Sequence, residues 1–352
     1  MSELPRRQST CISIPRGSTS SSMCLPCQAD DVACYEAYAR EHDWNAMPKG
    51  DKVNSGDFIS AIPEIDEIRK QYSRYRTAFV EGERMIQILS AFGSTPESVE
   101  SFKKVSEDLP PDPTLDFRRA RNGRFCLDLD AGQAYRTEFQ PFVLSDDEDF
   151  VRHDSGKIRE FAEIDDNTQL NPTFKALLVF KALIAGDMPI AHRPGLDYSV
   201  AQWISTVFQL RTITTRELIG EPALEGVHSD GVDHTMTVFL GGENLTEDSA
   251  VTFYHDMREK NGVPWDEVDP TLRLGRSQHR HFLDTLLIVD HERKHSVSAV
   301  EAQDKDRSAW RDMLIFFTRK PCLPGHVSAD HDSIKPHSEM PMSVGLPAPL
   351  HR

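Results

Sequence analysis

Residues 225–231, with the sequence EGVHSDG, place a histidine and an aspartate two positions apart. Residues two apart on a β-strand point to the same face, so a strand here would present the His228 imidazole and the Asp230 carboxylate to one ion. Two ligands alone do not hold a metal. A second histidine would complete a 2-His-1-carboxylate facial triad, which binds iron and leaves coordination positions open for substrate and oxygen. The pair therefore predicts a third ligand downstream.

The third ligand is predicted in a pair of β-prone runs. Residues 284–290 form a largely apolar run of strand length, a charged connection follows, and residues 295–300 are β-prone again. This pattern predicts a hairpin with His295 at the start of its second strand. His291 lies in the charged connection and is the weaker candidate. His234 would lie too far along its strand from His228 to share an ion, so we prefer His295.

An arginine follows the distal histidine at the entrance of a strongly β-prone run, residues 310–317. A guanidinium at Arg311 could hold a carboxylate by two parallel hydrogen bonds, and Arg307 is the alternative. A 2-oxoglutarate oxygenase needs this order of groups, because the metal chelates the 2-oxo acid and the arginine anchors its distal carboxylate. The strand period turns Ile315 and Phe317 to the same side as Arg311. We predict that these two bulky apolar residues shape an aliphatic substrate pocket.

Three segments resemble the bacterial isoleucine dioxygenase family, whose members use iron(II) and 2-oxoglutarate to oxidise free amino acids. They are EGVHSDG, LDTLLIVDHERKHSVSAV and AWRDMLIFFTRK. Further upstream, SGKIREF, the helix start at Asn171-Pro172 and the strand VFQLR are also similar, so the resemblance extends over roughly residues 115–320. The resemblance implies that His228, Asp230 and His295 bind Fe(II), that Arg311 binds 2-oxoglutarate, and that O2 is consumed. Hydrogen abstraction from an aliphatic L-amino acid of the valine or isoleucine type would give a hydroxy amino acid. A fungal branch of similar enzymes closes an aziridine ring on valine-like amino acids, which is the second possible product and points to secondary metabolism.

Two further groups are candidates for binding the substrate. The strand predicted over residues 203–214 carries Gln209 and Arg211 on one face, and a similar Q-x-R strand occurs in the related family. These side chains would be costly in a dry core without partners, so they line a polar pocket or form a buried structural ion pair. The family also has an Arg-rich segment before the first core strand, where Arg121 and Arg124 are the candidates here. The alternative for this cluster is a solvated face.

The resemblance implies a mainly β fold, a double-stranded β-helix or jelly roll with flanking helices. We expect a disordered leader over residues 1–30, a helical extension packing on the core over 31–112, the oxygenase domain over 113–320 and a tail over 321–352. Apolar spacing predicts one helix over residues 65–92, and Asn171-Pro172 predicts the start of another that ends at Gly186.

Composition excludes several classes of function. The formal net charge of −16 argues against nucleic acid or an anionic membrane as a partner, and we expect a small amino acid instead. Four of the six cysteines lie in the first 34 residues, where Cys24 and Cys27 form a C-x-x-C. No second C-x-x-C or histidine pair lies nearby in the sequence to complete a zinc signature, which favours a thiol-bearing leader over a zinc site. The N-terminus lacks the apolar core of a signal peptide, so we expect a cytoplasmic protein.

Two alternatives remain open from the residues alone. Two histidines and an aspartate also suit zinc in a hydrolase, and a jelly-roll protein could bind a metal without catalysing a reaction. The arginine after the distal histidine favours the oxygenase, because neither alternative needs an anchor for a 2-oxo acid. The pair His279 and His281 lies in a polar segment and is predicted to be on the surface.

Overall fold

A computed structural model describes residues 55–347, with the exception of residue 153. The leader predicted for residues 1–30 and its cysteines lie outside the described residues. All described residues belong to one compact unit. None of the described helices is both long enough and apolar enough to span a membrane.

The described strands form two sheets. The larger contains β1 (Thr77–Val80), β2 (Arg118–Asp128), β3 (Gln133–Arg136), β4 (Ala162–Glu163), β5 (Gln202–Thr214), β6 (His234–Glu243), β9 (Thr285–Val289), β11 (Ala309–Arg319) and β12 (Ser343–Gly345). The smaller contains β7 (Thr252–His255), β8 (Arg273–Ser277) and β10 (Lys294–Val297). The strand order of the larger sheet is β1-β9-β6-β11-β5-β2-β3-β12, with β4 paired beside β2, and that of the smaller sheet is β10-β7-β8. The prediction of a mainly β jelly-roll core with flanking helices is confirmed.

The described helices are α1 (Ser55–Tyr75), α2 (Gly82–Ser90), α3 (Pro96–Phe102), α4 (Asp166–Gln169) and α5 (Pro172–Ala185). The start of α5 is fixed as the sequence indicates, because the Asn171 side chain accepts a hydrogen bond of 2.8 Å from the Thr173 amide. Nearly every side chain of α5 is buried. Phe174 stacks on Phe316 of β11 with ring centroids 6.1 Å apart, so the helix covers one face of the larger sheet.

The single helix predicted over residues 65–92 is wrong. The helix ends at Tyr75, Arg76 takes a left-handed φ of 62°, and β1 then pairs with β9 before α2 begins. The segment TAFV is rich in β-prone residues, and the free edge of β9 offers it ladder hydrogen bonds. This tertiary pairing overrides the helical spacing of the apolar residues.

The predicted hairpin around His295 is also wrong. β9 belongs to the larger sheet and β10 to the smaller, and a short 3-10 turn, Asp290–Glu292, carries the chain between them. Within the predicted tail, β12 pairs with β3 in the larger sheet. Local pattern identified the individual strands but not their partners, because pairing depends on residues far away in sequence.

Candidate metal centre

Strands of both sheets line one cavity, which encloses about 850 Å³ when the open solvent at its mouth is included. His228, Asp230 and His295 meet in its wall, and one potential ligand atom from each lies within 4.8 Å of the others. His228 Nε2 is 3.4 Å from Asp230 Oδ1, and His295 Nε2 is 3.5 Å from Asp230 Oδ2. All three residues are buried. Two imidazoles and one carboxylate converging in this way are the donor set of a facial-triad iron site.

The backbone brings the two histidines together. His228 and His295 exchange amide–carbonyl hydrogen bonds of 2.9 and 3.0 Å, which joins the loop before β6 to β10. His228 is therefore in an isolated bridge rather than on the strand that the sequence predicts. Its Nδ1 lies 2.8 Å from the Gly226 carbonyl oxygen and donates to it, so Nε2 is the nitrogen that a metal ion would bind, in place of a proton. A Cβ at Gly226 would lie 2.4 Å from the Val263 carbonyl oxygen, so only glycine fits there.

Asp290 holds the loop that carries Asp230. Its carboxylate accepts hydrogen bonds from the amides of Asp230 at 2.7 Å, Gly231 at 3.0 Å and Val232 at 3.2 Å. Burial and the nearby Asp230 carboxylate raise the pKa of Asp290 to about 7. Sequence reasoning missed this residue, although an acid at the end of a buried strand is an unusual placement that needs partners.

The charges of the triad favour a bound cation. Burial opposes protonation of His228, but the carboxylates of Glu225 and Asp230 outweigh it and raise the pKa of His228 to about 9. Burial lowers the pKa of His295 to about 4. The pKa of Asp230 is lowered, because the two histidines outweigh the effect of burial. A buried carboxylate between two imidazole nitrogens is stabilised when a metal neutralises it, so these residues fit Fe(II).

Arg311 lines the same cavity and is buried, and none of the described carboxylates pairs with it. Burial lowers its pKa to about 10, so it remains charged near neutral pH. Arg311 Nη2 is 3.4 Å from His279 Nδ1, and burial together with Arg311 lowers the pKa of His279 to about 3. The expectation that His279 is a surface residue is wrong, whereas His281 is exposed. A buried guanidinium beside a neutral imidazole is suited to a ligand carboxylate.

The alternative anchor lies elsewhere. Arg307 pairs with Glu243 at 2.6 Å, and its side chain is 61% exposed. It does not line the cavity, so Arg311 is the member of the predicted pair that the structure places there.

One wall of the cavity is apolar. Met313, Ile315 and Phe317 share a face of β11 with Arg311, and Phe208 on the neighbouring β5 extends the wall. Phe317 packs edge-on against Phe208 with ring centroids 5.4 Å apart. The structure thus places both predicted pocket residues, Ile315 and Phe317, on the cavity surface, because alternate residues of a strand point to the same side.

Gln209 and Arg211 lie on the opposite face of β5. Gln209 Nε2 donates to the Val105 carbonyl oxygen at 2.7 Å and is fully buried. Arg211 forms two hydrogen bonds of 2.7 Å with Asp312, its cross-strand partner. Their assignment to the substrate pocket is therefore wrong, and the alternative of a structural ion pair holds for Arg211.

Arg121 and Arg124 do not line the main cavity either. Arg121 donates to the Glu163 carbonyl oxygen at 2.8 Å, and buried Arg124 contacts the His331 carbonyl oxygen. Three other arginines line the cavity instead: Arg118, Arg152 and Arg159. Sequence reasoning named none of the three as a candidate, although Arg118 lies in the Arg-rich segment and Arg159 in the family-like motif SGKIREF. Arg152 and Arg159 lie in an irregular segment whose path no local pattern predicts.

Comparisons with known proteins agree with this geometry. Residues 103–317 match the model of the 2OG-Fe dioxygenase family. The bifunctional enzyme flvA of Aspergillus flavus is 43% identical over 297 residues, which are 84% of this chain and 36% of flvA. This chain thus spans about a third of the length of that curated relative.

Solved structures are similar as well. The Fe(II)/α-ketoglutarate-dependent dioxygenase TqaL has a TM-score of 0.72 and 46% identity, over 82% of this chain and 97% of TqaL. IDO from Bacillus thuringiensis has a TM-score of 0.51 and 13% identity, over 73% of this chain and 98% of IDO. The second likeness, at low identity, concerns the fold alone.

Proposed function

Because this chain belongs to the 2OG-Fe dioxygenase family, we propose that it oxidises a free aliphatic L-amino acid of the valine or isoleucine type in secondary metabolism. Membership confirms the predicted enzyme class and the predicted cofactors, Fe(II), 2-oxoglutarate and O2. The zinc hydrolase and the non-catalytic jelly-roll protein are thereby set aside. The product in this proposal is a hydroxy amino acid or a ring-closed aziridine.

The observation that carries the proposal is the sharing of one cavity by the triad, the unpaired Arg311 and an apolar wall. His228, Asp230 and His295 would hold the iron, which together with O2 and 2-oxoglutarate supplies the oxidation of an unactivated C–H bond. Arg311 would receive the distal carboxylate of 2-oxoglutarate in a buried setting, where a charge-assisted pair is strong and orients its ligand.

The apolar wall would bind the aliphatic side chain and exclude water from the reacting carbon. Ile315 and Phe317 offer surface without hydrogen-bonding groups, so a charged side chain would lose its hydration there without compensation. In the same proposal the position of the amine relative to the oxidised carbon decides between the two products. An amine held close to that carbon forms the C–N bond of a three-membered ring. With a more distant amine, an oxygen atom is transferred to the carbon instead and the product is a hydroxy amino acid.

We also propose a cytoplasmic location and a small-molecule substrate rather than a nucleic-acid or membrane partner. Support comes from the net charge of −16, which disfavours binding to anionic polymers and surfaces.

The test is an aerobic assay with Fe(II), ascorbate and 2-oxoglutarate against a panel of free L-amino acids that begins with valine and isoleucine. Succinate and product mass are followed together. A product heavier by one oxygen atom establishes hydroxylation, and a product lighter by two hydrogens points to ring closure or desaturation. Succinate release that no amino acid in the panel stimulates would refute the proposed substrate class.

A further inference from the structure

Three buried arginines line the same cavity as the metal ligands, and the function described above uses none of them. Arg118 lies on β2, and Arg152 and Arg159 lie between β3 and β4. Their side chains are 9%, 7% and 4% exposed, respectively. Burying a charged group is costly unless partners compensate it, so this cluster requires an explanation.

The partners within the chain leave part of this cluster unsatisfied. Arg118 is well paired, with Nε donating to Asp112 Oδ2 at 2.7 Å. Arg152 Nε and Arg159 Nη1 approach opposite oxygens of Asp154 at 3.2 and 3.5 Å, but these contacts lack the geometry of hydrogen bonds. The Nε and Nη2 groups of both arginines are buried without a hydrogen-bond partner among the described residues. These donors are therefore available to an acceptor from outside the chain.

The cluster also carries a surplus positive charge. Arg152 and Arg159 share one carboxylate, Asp154, which leaves one positive charge on this pair of guanidinium groups. Burial lowers the pKa of Arg159 to about 10, which still leaves it charged near neutral pH. Its guanidinium lies over the rings of Phe142 and Phe150, at 4.6 and 5.0 Å from their centroids, which restricts its orientation.

A group of opposite charge lies on the metal side of the same cavity. The Glu225 carboxylate is 3.8 Å from His228 Nε2, and its side chain is 12% exposed. It also interacts electrostatically with Arg118. The cavity thus has an arginine-rich part that suits an anion and, beside the metal ligands, a carboxylate that suits a cation.

We infer that these residues form the head-group site of the substrate. Arg152 and Arg159 bind the α-carboxylate, and Glu225 binds the α-ammonium group. This inference rests on the proposed function and deepens it, because it names the residues that hold the α-carboxylate and the α-ammonium group of the amino acid. The ammonium group then lies on the metal side, which is where an amine must be if it is to bond to the oxidised carbon.

The test is calorimetric titration of L-valine, and in parallel L-isoleucine, into the protein loaded with Mn(II) and 2-oxoglutarate under nitrogen, so that no turnover occurs. Arg159→Gln and Arg152→Gln remove one charged donor group each, and we expect the Kd of the amino acid to rise roughly 10- to 100-fold. The affinity for 2-oxoglutarate stays unchanged. Arg307→Gln is the matched control, because it removes an arginine that pairs at the surface.

A second variant tests the ammonium half without disturbing the arginines. In Glu225→Gln, we expect weaker binding of L-valine but little change for 2-hydroxy-3-methylbutanoate, which has no ammonium group. The wild-type protein should also prefer L-valine to L-valinamide, and Arg159→Gln should reduce that preference about tenfold or more.

The outcomes separate the inference from the proposed function. If the wild-type protein binds an amino acid and the arginine variants bind it equally well, the inference is wrong and the proposed function stands. Loss of 2-oxoglutarate affinity in the arginine variants would also overturn it, because the cluster would then serve the cosubstrate. If neither amino acid binds to the wild-type protein or stimulates succinate release, the proposed function itself fails.

Discussion

Asp290 is not one of the three clustered ligands but binds the backbone that carries the ligand Asp230, and Asp290→Asn tests this positioning role. The carboxylate accepts three amide hydrogen bonds from the loop of residues 230–232. Asparagine has nearly the same shape but only one acceptor oxygen. In its better orientation that oxygen serves the amides of Gly231 and Val232, and its NH2 group opposes the amide of Asp230.

The magnitude follows from the bond that is lost. Because the pKa of Asp290 is about 7, the measurement is made at about pH 8, where the carboxyl group is mostly ionised. A hydrogen bond to a charged group contributes about 1.5–3 kcal/mol. If this free energy is lost from the metal-bound state, which needs Asp230 in place, metal affinity falls roughly 10- to 150-fold. We expect this free energy to be lost from metal binding, because the backbone amide that loses its acceptor belongs to the metal ligand Asp230 itself.

The assay is calorimetric titration of Mn(II) or Fe(II) under nitrogen, with thermal unfolding followed with and without the metal. Glu292→Gln is the control, because Glu292 lies in the same short turn but pairs with Arg76 at 2.8 Å. We expect the control to bind metal as the wild-type protein does. An Asp290→Asn protein that is folded and binds metal within about twofold of wild type would refute the positioning role.

Three further results are expected. Arg311→Gln should raise the KM for 2-oxoglutarate about tenfold or more, because it removes a buried charge-assisted pair. Arg307→Gln should leave that KM unchanged, and equal effects of the two substitutions would contradict the assignment. Ile315→Ala and Phe317→Ala should alter the ratio of ring-closed to hydroxylated product or the preferred side chain, because both line the cavity; mass analysis of products from valine and isoleucine checks this. The pKa of His279 is lowered from 6.5 to about 3 by burial and by Arg311, so the unfolded chain takes up a proton first as the pH falls below about 6.5. The stability due to this group should fall by about 2 kcal/mol between pH 7 and pH 5, and urea unfolding of His279→Gln at both values should show a correspondingly smaller loss.

The amino-acid sequence determined the chemical types at the metal centre and their order along the chain. His228, Asp230, His295 and Arg311 were identified from spacing and from resemblance, and the structure places all four in one cavity. The side-chain alternation of β11 placed Ile315 and Phe317 with Arg311, because the period of a strand is a local property that survives folding. The same period grouped Gln209 with Arg211 correctly, yet it could not say which face of β5 meets the cavity.

Tertiary structure decided everything that depends on which segments meet. The separation of β9 and β10 into different sheets, the pairing of β1 with β9, and the meeting of Arg311 with His279 all join residues distant in sequence. The same holds for Asp290, because the buried carboxylate finds its hydrogen-bond donors in three backbone amides about 60 residues earlier in the chain. Local patterns report propensity and periodicity, whereas the partner of a buried charge is fixed by the packing of the whole chain, because only packing removes water from it.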